Sequence, residues 1–206
     1  MSPRMHPRED HWLDYASGQM DAPSRSLLEA HLAFCEPCRR QAAQDTAAGG
    51  ALLAGLPDVP APAALLGGIL ARLETPGPPR VGGQALPIPR NLWCLLPSLQ
   101  GASWRGALTR GFRFLEAAPG LFLIHMEKGR PFPEHGHTGL ERSVILAGGL
   151  EDGGAVMEAG DFDEADGSRI HSPVALPDED CWILASLEKG IRFTSWRGVL
   201  QRLAGR

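Results

Sequence analysis

The chain has 206 residues, 43% of them apolar and 21% charged, and its 20 basic and 24 acidic side chains give a formal charge of -4. The charges are spread evenly, 6 basic against 9 acidic through residue 75 and 14 against 15 afterwards, which excludes a basic footprint for direct nucleic-acid binding. No apolar run approaches the roughly 20 residues that span a bilayer, and the start, MSPRMHPREDHW, lacks an apolar signal core. The expected location is cytoplasmic, where cysteines stay reduced and serve as metal ligands or redox-responsive thiols.

Up to about residue 74 the pattern is helical. Trp12, Leu13, Tyr15 and Ala16 predict a short amphipathic helix ending at Gly18, and Pro23 opens a second that carries Leu27, Leu28, Leu32 and Phe34. A third helix is predicted from Pro37 to about Ala48 and a fourth from Pro62 to Leu73. The stretch TPGPPRVGGQALPIPR has the Pro and Gly density of a linker. The expected division is a helical domain over 1–75, a linker over 76–90 and a β-rich domain over 91–206. A domain of about 70 residues needs a metal or a partner to be firmly stable.

Beyond Asn91 short strands are predicted at Trp104–Leu108, Gly111–Leu115, Leu121–Met126, Arg142–Ala147, Gly154–Glu158, Cys181–Leu187 and Ile191–Phe193, with Gly-Gly, Asp-Gly and Lys-Gly turns between several. This density of strands favours a small antiparallel barrel or sandwich. Cys94 and Cys181, in WCLL and CWILA, are expected to be buried small side chains.

Two clusters carry chemistry. In His31-Leu-Ala-Phe-Cys35-Glu-Pro-Cys38 the first two ligands share a helix face and Cys38 follows in a C-x-x-C step, so three soft ligands converge. The fourth must come from elsewhere, and His6 and His11 are both available. In the β-rich half His135 and His137, two apart on a strand, point to the same side, and Glu141 can arrive from the next strand or turn.

The pattern of His6, Trp12-Leu-Asp-Tyr-Ala-Ser-Gly18 and His31 to Cys38 resembles the zinc-binding anti-sigma domain, and the whole-chain arrangement looks like the ChrR family, in which that domain is followed by a cupin. The resemblance implies a small all-α zinc-binding helical domain and an all-β cupin barrel, an antiparallel β-sandwich or jelly roll. Its register makes His6 the first zinc ligand and leaves His11 on the first helix. The run Gly129 to Gly148 resembles the first cupin motif, Gly160-Asp-Phe the opening of the second, and Arg169-Ile-His-Ser-Pro173 supplies His171 as fourth ligand beside His135, His137 and Glu141. Asp163-Glu-Ala-Asp-Gly-Ser-Arg169 stands where a Pro-x-Gly turn is usual, and no asparagine follows His171.

Such a cupin ligand set accepts zinc, favoured by the resemblance, as well as manganese, iron(II) or nickel. The implied function is an anti-sigma factor that sequesters an ECF-type sigma factor as a one-to-one heterodimer. It releases the sigma factor under singlet oxygen or organic hydroperoxide sensed in the cupin, where a small oxygen-containing ligand could bind. Apolar side chains beyond the needs of a small bundle, Trp12, Leu65, Leu66, Ile69 and Leu70, are the expected partner-binding surface. No catalytic residue is expected; the alternative is a metal-dependent cupin dioxygenase or related oxidoreductase.

Overall fold

The structure, a computed structural model, describes residues 2–70, 77–93, 99, 102–106 and 110–194. Four helices come first: α1 (Glu9–Ala16), α2 (Ala22–Phe34), α3 (Glu36–Leu53) and α4 (Leu65–Leu70). Asp21 caps α2 by accepting the Ser24 N–H at 2.9 Å, and Pro23 sits in its first turn. The helix stops at Cys35, whose extended backbone (φ -104, ψ 106) also opens α3, with Pro37 in the following turn. That break brings Cys35 and Cys38 to one corner. The predicted third helix runs further than expected, to Leu53, while the predicted end of the fourth, through Leu73, lies outside the described residues.

Apart from a single 3-10 turn at Arg90–Leu92, the remaining described elements are strands: β1 (Arg80–Val81), β2 (Gln84–Ala85), β3 (Arg105–Gly106), β4 (Phe112–Ala118), β5 (Leu121–Met126), β6 (His135–His137), β7 (Glu141–Ala147), β8 (Gly149–Asp152), β9 (Ala155–Glu158), β10 (Phe162–Ala165), β11 (Ile170–His171), β12 (Val174–Ala175), β13 (Cys181–Leu187) and β14 (Ile191–Phe193). They form a six-stranded sheet in the order β10-β7-β13-β5-β4-β3, the three-stranded sheets β11-β6-β14 and β12-β8-β9, and the hairpin β1-β2. Every pairing among the described strands is antiparallel. Of the expected antiparallel barrel or sandwich, the structure shows a cupin-like architecture built from several small antiparallel sheets; among the described residues no sheet closes on itself into a barrel. Strand β9 falls on the predicted Gly154–Glu158, whereas β8 and β10 went unpredicted because their acidic residues and the adjoining Gly-Gly read as turns.

Alternation along the six-stranded sheet separates two cores. Trp182 and Leu184 on β13, Leu121 and Leu123 on β5, Val144 and Leu146 on β7, and Phe162 on β10 join a cluster with Leu27, Leu28 and Leu32 of α2. Their neighbours Cys181, Ile183 and Ala185, Ile124 and Met126, and Ile145 join a second cluster on the opposite face. Each strand thus shows one set of side chains to the helices and the other to the interior. Cys181 is fully buried, as expected, whereas Cys94 lies outside the described residues.

The predicted linker is packed. Val81, Leu86, Ile88 and Leu92 are buried in the core that α2 shares with the sheet. Trp93 donates its indole N–H to the Ile88 carbonyl at 2.9 Å, and Asn91 donates to the Glu29 carbonyl at 2.7 Å. Prolines at 79, 87 and 89 hold this stretch extended while its apolar residues seal the seam. Composition signalled the prolines but not the alternating apolar positions between them.

A shared core predicts shared unfolding. Leu28→Ala should destabilise the metal-stripped chain by about 2–5 kcal/mol, and calorimetry should show one cooperative transition moving down; two separate endotherms, one unaffected, would contradict a common core.

Candidate metal centres

At the first centre the break after α2 sets the geometry. His6 Nδ1 lies 3.5 Å from Cys35 Sγ and 3.4 Å from Cys38 Sγ, and ligand atoms of His6, His31, Cys35 and Cys38 lie within 4.8 Å of one another. With metal–sulfur bonds of about 2.3 Å and metal–nitrogen bonds of about 2.0–2.1 Å, nitrogen and sulfur on one tetrahedral ion stand about 3.6 Å apart. The spacing fits an ion.

His31 supplies a second sign of fit. Its Nδ1 donates to the Gly160 carbonyl at 2.6 Å, which leaves Nε2 deprotonated; that nitrogen is buried and meets no hydrogen-bond partner among the described residues. Burial pushes the His31 pKa down to about 4, so the imidazole is neutral above that. Burial, with Cys35 beside it, pushes the Cys38 thiol up to about 12, so a cation is needed to hold the thiolate. His11 stands apart, buried with Nε2 3.4 Å from Glu164 of β10.

The second centre sits where β6 and β11 pair, with His171 opposite His135. The His171 Nε2 lies 2.9 Å from His137 Nε2 and 3.1 Å from His135 Nε2. Two imidazoles on one ion with bonds near 2.1 Å stand about 3.0–3.4 Å apart, depending on the bond angle. The back nitrogens of two rings are pinned: His135 Nδ1 donates to the Pro133 carbonyl at 2.9 Å, and His171 Nδ1 donates to Asp152 at 2.7 Å. Burial would raise the Asp152 carboxyl, but His171 and Arg169 hold it below the usual range. Burial pushes the His135 pKa down to about 4. Glu141 does not join the three converging nitrogens as expected; its Oε2 lies 2.9 Å from His137 Nδ1, on the far side of that ring.

Behind the histidines lies a cavity of about 190 Å³. Phe112, Phe114, Phe122, Phe132 and Phe193 line it with Met126 and Met157, while His135, His171, Glu141, Asp152 and Asp163 supply its polar atoms. The expected partner surface divides. Trp12 is buried, 6% exposed, and lines the floor of a groove between α1 and α3, so it is core rather than a projecting anchor. Leu65, Leu66, Ile69 and Leu70 on α4 are each about half exposed or more.

Comparison with known proteins supplies the lineage. A family model for the ChrR cupin-like domain matches residues 112–189, and a zinc-finger model matches residues 9–39. The chain is 31% identical over 194 residues to the anti-sigma-E factor ChrR of Cereibacter sphaeroides, covering 88% of each chain. The chain belongs to the ChrR family. A crystal structure of Rhodobacter sphaeroides SigE in complex with the anti-sigma ChrR is similar at 27% identity and a TM-score of 0.66, over 91% of this chain and 100% of that one. The likeness spans both halves.

Sequence reading missed the groups that orient the ligands: the Gly160 carbonyl, Asp152 and the Pro133 carbonyl. Asp152 precedes Gly153-Gly154 and read only as turn chemistry; a backbone carbonyl leaves no trace in sequence at all.

Two outcomes follow. Removing the Asp152 carboxylate by Asp152→Ala should weaken metal binding at the histidine cluster roughly 10- to 100-fold in chelator competition. In metal-stripped protein the buried neutral His31 and His135 titrate below their unfolded value of 6.5, to about 4. The unfolded chain then binds more protons between these limits, so their contribution is fully present above about pH 6.5 and is lost as pH falls toward 4, by about 3 kcal/mol per imidazole. Denaturant melts across this window check it; stability that rises on acidification would refute it.

Proposed function

We propose that this chain sequesters an ECF-type sigma factor one to one through its helical region and releases it under oxidative stress, singlet oxygen or organic hydroperoxide, sensed in the cupin region. As a member of the ChrR family it is a regulator rather than an enzyme. The carrying observation is the likeness across both halves to a ChrR captured with its sigma factor SigE. A further support is α4, whose exposed Leu66 and Ile69 make no large contact with the described remainder of the chain.

In this reading residues 1–75 form the anti-sigma part and 91–206 the sensory part, a cupin jelly roll assembled from the small sheets, joined by 76–90, whose apolar residues Val81, Leu86 and Ile88 are packed. Zinc is held by His6, His31, Cys35 and Cys38, and fixes α1 and α2 against the start of α3 so that the partner-facing helices keep one arrangement. In the cupin, His135, His137 and His171 hold the ion, with Glu141 beside His137 as the carboxylate of the set. Zinc is the favoured ion there; manganese, iron(II) and nickel suit the same donors. The ion supplies a Lewis-acidic site for a small oxygen-containing ligand. The aromatic lining of the cavity favours a ligand that is otherwise apolar.

Among the described residues no helix is long and apolar enough to cross a membrane, which agrees with work in the cytoplasm. The oxygenase alternative has the histidines and the cavity in its favour but not the family.

Co-expression of the full chain with an ECF sigma factor of its own genome should yield a one-to-one complex on size-exclusion chromatography with zinc bound. Leu66→Glu with Ile69→Glu should weaken that complex tenfold or more, about 1.4 kcal/mol, without lowering Tm, since both side chains are exposed. Folded, zinc-loaded protein that forms no complex would overturn the proposal.

A further inference from the structure

The first metal centre draws support from the opposite half of the chain. Its His31 is wholly buried, and the only partner of Nδ1 among the described contacts is a carbonyl from the β-rich half, that of Gly160. Gly160 has φ +95, and a Cβ there would fall 2.5 Å from the Phe34 Cβ and 2.6 Å from the Pro3 Cγ. Only glycine permits both the turn and this approach to the end of α2.

The next residue holds the other imidazole. Asp161 is 2% exposed, and its carboxylate accepts three backbone N–H groups: Arg4 at 2.6 Å and Met5 at 2.9 Å on Oδ1, Glu158 at 2.8 Å on Oδ2. The Phe162 N–H in turn donates to the Met5 carbonyl at 3.1 Å. Residues 4 and 5 are therefore stitched to the cupin immediately before the chain presents His6. A ligand loses affinity when its position must be fixed at the moment of binding.

We infer that the turn Gly160–Asp161 is a positioning element of the N-terminal metal centre: its carbonyl sets the tautomer and tilt of His31, and its carboxylate sets the strand that carries His6. The cupin half thereby sets how tightly the helical half holds its ion. The inference rests on the reading of His6, His31, Cys35 and Cys38 as a zinc site. It assigns to the opening of the second cupin motif a task away from the cupin's own ligands.

The chemistry makes the test specific. Three N–H donors converge on two carboxylate oxygens, so the isosteric Asp161→Asn must set an amide NH2 against at least one backbone N–H. Arg4→Pro removes the shorter Oδ1 bond from the other side and leaves every atom of the turn in place. It also removes the exposed guanidinium contacts to the Val156 carbonyl and Glu158. Arg4→Ala, which loses those contacts and keeps the N–H, is therefore measured beside it and is expected to hold Co2+ more tightly than Arg4→Pro.

The full chain is titrated with Co2+, whose bonds to two thiolates give a near-ultraviolet charge-transfer band that imidazole ligands do not, and the protection of Cys35 and Cys38 from alkylation is read in parallel. Asp161→Asn and Arg4→Pro are both expected to lose Co2+ affinity at the thiolate site roughly 10- to 100-fold, with ion content at the His135, His137 and His171 cluster unchanged. Leu115→Ala, destabilised in the core on β4 with three strands between it and β10, is expected to keep wild-type affinity. Should Asp161→Asn fail to retain the histidine-cluster ion, its fold is lost and Arg4→Pro decides alone. Wild-type affinity and thiol protection in Arg4→Pro would overturn the inference. A wild-type chain with no thiolate band would overturn the zinc reading beneath it, so the two failures are distinguishable.

Discussion

Burial of both faces of the six-stranded sheet is the constraint on which the rest of the molecule depends. Every residue of β13 from Cys181 to Ser186 is buried, and a strand of that kind needs apolar cover above and below. On the inner side the cover is the aromatic-lined cavity wall. On the outer side it is α2 and the strap from Val81 to Leu92. The helical region is thus more than an attachment to the cupin half, because Leu27 and Leu28 complete a core that the sheet begins. Cutting between them would expose apolar surface on each side, at a loss of about 25 cal/mol per Å².

Within that frame the polar groups follow one rule. The buried imidazoles of His31 and His135 and the partly buried one of His171 each give one nitrogen to a fixed oxygen, the Gly160 carbonyl, the Pro133 carbonyl and the Asp152 carboxylate. The opposite nitrogen is left as a lone pair aimed at its cluster. This arrangement settles the tautomer before any ion arrives and spares binding the entropy of ordering the rings. It also explains why these residues tolerate burial, since a charged imidazole in the same places would be far costlier than a neutral one.

How much of this was legible in sequence depended on the kind of signal. His135 and His137 could be placed on one face because strand alternation is a local rule, and the C-x-x-C step after His31 likewise carries its own geometry. The family register separated His6 from His11 where residue chemistry could not, and the structure sets His11 against Glu164 instead. Trp12 was misjudged because an amphipathic helix has one apolar stripe, and sequence does not say whether that stripe faces the fold or a partner. The strap was misjudged because proline content hides a buried set of side chains. Glu141 was assigned to the ion by motif, whereas here its carboxylate stands behind His137. The Asp161 contacts were invisible for a further reason: they join residues more than 150 positions apart through backbone N–H groups.

Strand β10 is where these arrangements meet. Phe162 and Glu164 face the helices, Glu164 meeting Arg142 at 2.8 Å and His11, while the intervening Asp163 lines the cavity and meets Arg169 at 2.7 Å. Arg169 also contacts Asp152, the partner of His171. Because side chains alternate with a period of two, adding or removing a single residue here would invert the strand. Glu164 would turn into the cavity and Asp163 toward α1 and α2, depriving both halves of their polar partners in one step. Chain length across these four residues is therefore far less free to drift than at the open Gly153-Gly154 turn, where a side chain meets nothing within 4 Å, and insertions among family members should collect at that turn and avoid β10.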